Sequence, residues 1–229
     1  MSVTGQGAGM RSTKPPMVRV WDPLVRIAHW LLVLGFSVAY VTEDDLLTLH
    51  SWAGYVVAGV VLFRVLWGVV GPRHARFSDF VCGPSATLGY LRDLMLLRSR
   101  RHLGHSPAGG AMVVALLLSL AATAATGMAT LAETRNAGPL APWLGAAATT
   151  AAPDAAPAAG RILAERLPSD RYRPVGRRRS AFKEVHEVFA NLTLILVILH
   201  VGGVALASLA HRENLVRSMI TGEKRADPT

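Results

Sequence analysis

The chain has 229 residues, of which 51% are apolar and only 17% charged, with a mean hydropathy of +0.34; an ordinary soluble domain carries about a quarter charged residues. The net charge is +9, but the basic residues flank apolar blocks and form no nucleic-acid motif, so the charge speaks for topology and membrane lipid headgroups rather than nucleic acid. A single cysteine, Cys82, excludes an internal disulfide, and the absence of a CxxCH run excludes covalent c-type haem.

Residues 1–17 are polar and Gly-rich and are expected to form a disordered arm. The apolar block that follows carries Arg26 and His29 and has no small-residue cleavage site after it, so it reads as a retained span rather than a signal peptide. Crossing a bilayer in helical form takes about 20 mostly apolar residues. Four stretches qualify, at roughly 24–42, 49–70, 110–131 and 185–210. The short acidic turn at 43–48 makes the first two spans antiparallel neighbours. The basic loop 71–109 contains SATLGYLRDLMLLRSRR (85–101), whose apolar residues recur every three or four positions with Arg on the other side. That pattern suits a helix lying in the interface plane, or a plain connecting helix. Residues 132–180 form an Ala/Pro-rich, low-complexity loop that is expected to be flexible.

The expected fold class is therefore an all-α membrane protein, a four-transmembrane-helix bundle with an interfacial amphipathic helix between helices 2 and 3. The bundle occupies 18–215, and 216–229 is a tail. Lys and Arg number thirteen in the two terminal segments and the 71–109 loop, against nine in the long loop 132–184. With the acidic turn outside, this places both termini in the cytoplasm.

Ionisable residues inside a bilayer are costly and point to function. Four histidines fall in or at the edge of the spans: His29, His50, His186 and His200. His186 and His200 are separated by 14 positions, about 21 Å along a helix and some 40° short of four full turns, so they share one face of helix 4 at two depths. His50 lies at the depth of His186, and His29 at the depth of His200. Each pair comes from two different helices, the arrangement that supplies two axial imidazoles to a six-coordinate haem iron. A single buried histidine would more simply be a hydrogen-bonded polar residue, but four at two matched depths are harder to explain that way. Zinc would want more ligands at one level. Gly54, Gly59, Gly202 and Gly203 would leave room for a flat macrocycle or serve close helix packing. Arg64 and Arg26 would meet a haem propionate or snorkel to headgroups. Trp21, Trp30, Trp52 and Trp67 read mostly as interfacial anchors.

VRVWDPLVRIAHW (18–30) resembles the opening of the bacterial cytochrome b561 proteins and of the b-type cytochrome subunits of nickel–iron hydrogenases. LHSWAGYVVAGVVLFRVLWGVVGPRHARF (49–77), LGHSPAGGAMV (103–113) and KEVHEVFANLTLILVILHVGGVALASLAHRENLVRSMITGEKR (183–225) resemble the later segments of the same family. The resemblance implies a four-helix bundle in the bacterial inner membrane with two haem b groups, ligated by His50/His186 and His29/His200. It also implies electron transfer between a quinone and a redox partner protein, a c-type cytochrome or a dehydrogenase subunit. The Ala/Pro-rich insert departs from the compact members and leaves an external partner site open.

The leading expectation is an electron-transfer subunit, with His74, His102 and His105 as candidates for proton exchange with a quinol, or as plain loop histidines. One alternative is a superoxide:quinone oxidoreductase, with Arg177–Arg179 and Lys183 drawing the anion. Another, of a different class, is a haem-free histidine-relay transporter.

Overall fold

A computed structural model describes residues 17–43, 46–72, 75–102, 104–145 and 180–226. The N-terminal arm before residue 17, His74, most of the Ala/Pro-rich loop and Arg177–Arg179 lie outside the described residues. In chain order the elements are β1 (Met17–Arg19), α1 (Pro23–Thr42), α2 (Leu47–Val70), α3 (Phe77–Phe80), α4 (Pro84–Met95), α5 (Pro107–Arg135), α6 (Ala141–Leu144), α7 (Ala181–His211), α8 (Leu215–Thr221) and β2 (Glu223–Arg225).

Helices α1, α2, α5 and α7 are long and apolar enough to cross a membrane. They coincide with the four stretches seen in the sequence and run up to four residues further, and polar side chains cap the starts of α1, α5 and α7. The Asp22 side chain accepts from the backbone N–H groups of Leu24 and Val25, ahead of Pro23. Ser106 and Ser180 start α5 and α7 in the same way, accepting from Gly109 and Lys183. Asn136 and Arg212 close α5 and α7 in the left-handed conformation.

The spans pack as two tight pairs, α1 on α2 and α5 on α7, joined by contact between α2 and α5. At Gly35 an added Cβ would lie 3.0 Å from Val57 Cγ2, so glycine lets α1 approach α2. Val57 and Val61 meet Leu117 and Leu120 in the core, with Leu32 and Phe36 of α1 against them. Between α5 and α7 the contact is polar: Ser119 Oγ lies 2.7 Å from Thr193 Oγ1, which lies 3.2 Å from Thr123 Oγ1. Thr193 is the one buried residue of α7, which packs along α5 and not closely along α1 or α2.

Helix α4 sets Tyr90 and Leu94 against the bundle and leaves Leu88, Leu91 and Met95 outward, as an interfacial helix does. It ends at Met95 instead of continuing to Arg101, because Leu97 turns into the left-handed region (φ 55°) and Arg98 N–H donates back to Asp93. The segment after α7 is also ordered. Helix α8 leads into β2, which pairs antiparallel with β1 in the register Met17↔Arg225, Val18↔Lys224, Arg19↔Glu223. Three-residue strands are too short to show the alternation by which a sequence betrays a strand.

Candidate cofactor site

The gap between the two helix pairs is bridged by rings. His50 of α2 faces His186 of α7 with ring centroids 6.0 Å apart and planes at 82°. His29 of α1 faces His200 of α7 at 6.4 Å and 56°. Two bonds of about 2 Å from imidazole nitrogen to one metal ion, plus two ring radii, come to roughly 6 Å. Among the described residues no cluster of three His, Cys, Asp or Glu gathers around either pair. The arrangement therefore offers two ligands per level, which suits a metal whose other positions are filled by a macrocycle.

The ring nitrogens of the first pair are assigned by their neighbours. His50 Nδ1 lies 2.8 Å from the Ala39 carbonyl, and His186 Nδ1 lies 2.9 Å from the Thr123 carbonyl. A carbonyl only accepts, so each Nδ1 carries the proton and each Nε2 keeps its lone pair for a metal. Gly127 makes the seat for His186: a Cβ there would come within 2.9 Å of His186 Cε1. Sequence reasoning passed over Gly127, because α5 holds no histidine and looked like a bystander. The second pair is different. His29 Nδ1 is buried with no hydrogen-bond partner among the described residues.

The glycines proposed to leave room do face open space: a Cβ at Gly54, Gly59, Gly202 or Gly203 would meet nothing within 4 Å. Arg64 is 6% exposed inside α2, with its guanidinium 5.1 Å from the Phe77 ring centre and 5.9 Å from that of Phe80. Its Nη1 is buried and has no partner among the described residues. Arg26 points elsewhere. Its Nη atoms donate to the carbonyls of Thr221 and Ile220 at the end of α8, leaving its Nε buried and without a partner.

At the end of the bundle that holds the two strands, a polar clamp joins the α4–α5 loop to the segment after α7. Arg101 donates to Glu213 in a two-pronged pair (Nε–Oε2 3.2 Å, Nη2–Oε1 3.0 Å) and also to the Arg225 carbonyl. Lys224 is buried, donates to the His102 carbonyl at 3.0 Å and lies over the Trp21 ring. Burial alone would raise the Glu213 carboxyl; the Arg101 hydrogen bonds, the Arg225 N–H and the charges of Arg101 and Lys224 outweigh it and hold the group below its ordinary value. Trp21 is thus packed into the clamp, whereas Trp30 and Trp52 are exposed.

His105 sits between Trp21 and Phe80, at 4.7 and 4.3 Å between ring centres, and His102 stands against Tyr90. His211, which the sequence did not single out, lies 3.5 Å from both Tyr90 Oη and Ser99 Oγ. Lys183 pairs with Glu187 at 3.8 Å. Cys82 is exposed between α3 and α4.

Comparison with known proteins agrees with this architecture. The family model described as prokaryotic cytochrome b561 matches residues 20–222. A probable Ni/Fe-hydrogenase B-type cytochrome subunit from Bradyrhizobium diazoefficiens is 27% identical over an alignment of 162 positions, which covers 58% of this chain and 65% of the relative. The chain thus spans somewhat less than two thirds of that relative's length. No solved structure matches. With a matched stretch that takes in all four spans and all four paired histidines, the chain belongs to the prokaryotic cytochrome b561 family.

Proposed function

We propose that this chain is a dihaem cytochrome that carries electrons through the bacterial inner membrane between a quinone and a redox partner protein. The supporting observation is the pair of imidazole couples, 6.0 and 6.4 Å between ring centres, set at two depths in the gap between the helix pairs. His50 and His186 hold one haem b, and His29 and His200 the other. When bound, haem supplies one-electron redox chemistry. The chain's own part is to present Nε2 of His50 and His186, keep bulk away at Gly54, Gly59, Gly202 and Gly203, and surround the site with apolar side chains that exclude water. Of the two arginines proposed for propionates, Arg64 is the better placed, because its buried Nη1 needs an acceptor while the Nη atoms of Arg26 already serve α8.

Both termini lie on the cytoplasmic side in this reading, so the polar clamp, with His102, His105 and His211, faces the cytoplasm. The quinone site belongs near one haem at a membrane edge, and the similarity to a hydrogenase cytochrome subunit suggests a dehydrogenase-type subunit as the partner. A dithionite-reduced minus oxidised spectrum of the detergent-purified chain, with pyridine haemochrome quantification, tests the core of the proposal. Two b-type haems per chain are expected. One would mean that one couple is not a ligand pair, and none, in cells with ample haem, would revive the haem-free transporter.

A further inference from the structure

We propose that the exit of α4, the tip Met95–Leu97 with the arginines around it, is a binding surface for anionic phospholipid. Met95, Leu96 and Leu97 are 74%, 53% and 62% exposed and extend the outward stripe of Leu88 and Leu91. Three large apolar side chains in succession are costly to leave in water. The backbone adds a second cost, because Leu97 holds a left-handed φ of 55°, where glycine is the ordinary occupant. The turn itself is well bonded: the N–H groups of Leu96, Leu97 and Arg98 donate to the carbonyls of Arg92, Leu94 and Asp93 at 3.1, 3.0 and 2.8 Å. A glycine at position 97 would make the same backbone bonds without the crowding. Tyr90 and Leu94, on the opposite side of α4, already seat the helix on the bundle. The leucine side chain therefore finds its use outside the chain.

Charge identifies the occupant. Arg92, Arg98 and Arg100 are exposed, against a single carboxylate, Asp93, in the stretch 92–100. Arg212 is exposed as well, and its neighbour His211 lies 3.5 Å from Ser99 Oγ, which brings the end of α7 beside the same loop. None of these four guanidinium groups pairs with a carboxylate among the described residues, and Glu213 is engaged by Arg101. Height decides between a lipid and a protein partner. The chain leaves one span at Val70 and enters the next at Pro107, so α4 lies at the membrane edge, where headgroups meet acyl chains. An apolar tip ringed by unpaired arginines at that level matches a phosphate or glycerophosphate head above and acyl chains below. Each arginine near an anionic surface contributes roughly fivefold in affinity, and salt screens the attraction.

The test uses the full chain in nanodiscs of phosphatidylcholine alone or of an equal mixture with phosphatidylglycerol. An environment-sensitive NBD label is placed by Leu97→Cys in a Cys82→Ser background, with Leu96→Cys as the second site if that variant does not accumulate. In the mixed discs the label should emit at shorter wavelength and be quenched by lipids carrying a doxyl group near the top of the acyl chain. Both signals should weaken in phosphatidylcholine and at high salt. Arg92→Gln, Arg98→Gln and Arg100→Gln together should remove the difference between the two lipids. Water-like emission in both discs, equal insertion in both, or a phosphatidylglycerol dependence that survives the three glutamines would overturn the proposal. So would emission in detergent that shifts with protein concentration, which would assign the tip to contact between copies. Leu97→Gly supplies an independent reading. Phosphatidylglycerol added to the detergent-solubilised wild type should raise its melting temperature more than phosphatidylcholine does. That margin should shrink in Leu97→Gly, although the variant melts no lower without added lipid; a lower melting point there would show that Leu97 serves internal packing and would overturn its assignment to lipid.

Discussion

The two ends of the bundle hold their histidines by different means. At the α1–α2 turn the rings themselves are fixed, by carbonyls of neighbouring helices and by the notch at Gly127. At the other end the rings of His29 and His200 have no such anchors among the described residues, and the structure outside the spans holds the helix ends, through Arg101, Glu213, Lys224, Arg26 and the two short strands. Fixing a ring sets its hydrogen-bond state as well as its position. Fixing a helix end sets position alone. A membrane bundle without a hydrophobic drive between its helices has to use both polar contacts and small residues for this purpose.

The largest effect that would break this comparison comes from the ligands. His186→Ala and His200→Ala should each reduce haem content from two to one per chain by pyridine haemochrome. If either loses both haems, the two levels are not independent. The next largest concerns the clamp. Arg101→Ala removes both prongs of a pair whose side chains are 18% and 8% exposed and strands the Glu213 charge. It should cost about 3 kcal/mol of resistance to denaturation in detergent, with the His50/His186 couple unaffected.

A smaller effect should come with acid. Glu213 is held below its ordinary value of 4.5, so its contribution to stability is fully present above that value and is lost as pH falls through the lower, folded-state value. Melting temperature should therefore drop below about pH 4.5, and Glu213→Gln should lack that part of the drop. The smallest effect concerns the hydroxyls between α5 and α7. Ser119→Ala should cost roughly 1 kcal/mol, and adding Thr193→Val should cost less than the sum of the two, since removing both partners leaves no unsatisfied group.

Much of this was legible in the sequence. Length and hydropathy were enough for the four spans, because a bilayer demands a long apolar helix and little else produces one. The 14-residue interval between His186 and His200, with His50 and His29 at matching depths, was enough to pair the histidines. The misses share a cause. The Ala39 and Thr123 carbonyls are backbone groups, and every residue has one, so nothing in the sequence marks those two. Gly127 differs from the other glycines of the chain only in what stands opposite it. The arginines divided on a fact of packing: α8 folds back onto α1 and engages Arg26, whereas Arg64 is enclosed by Phe77 and Phe80. The end of α4 at Met95 was missed because the run of arginines after it fits a helical surface, while a single left-handed leucine interrupts it.

The pairing of residues 17–19 with 223–225 has a consequence for how the protein is made. Chains emerge from the ribosome N-terminal end first, so this tie joins a segment synthesised before α1 to one synthesised after α8. All four spans can enter the bilayer before the tie exists. The tie therefore forms last, joining the segment before α1 to the segment after α8.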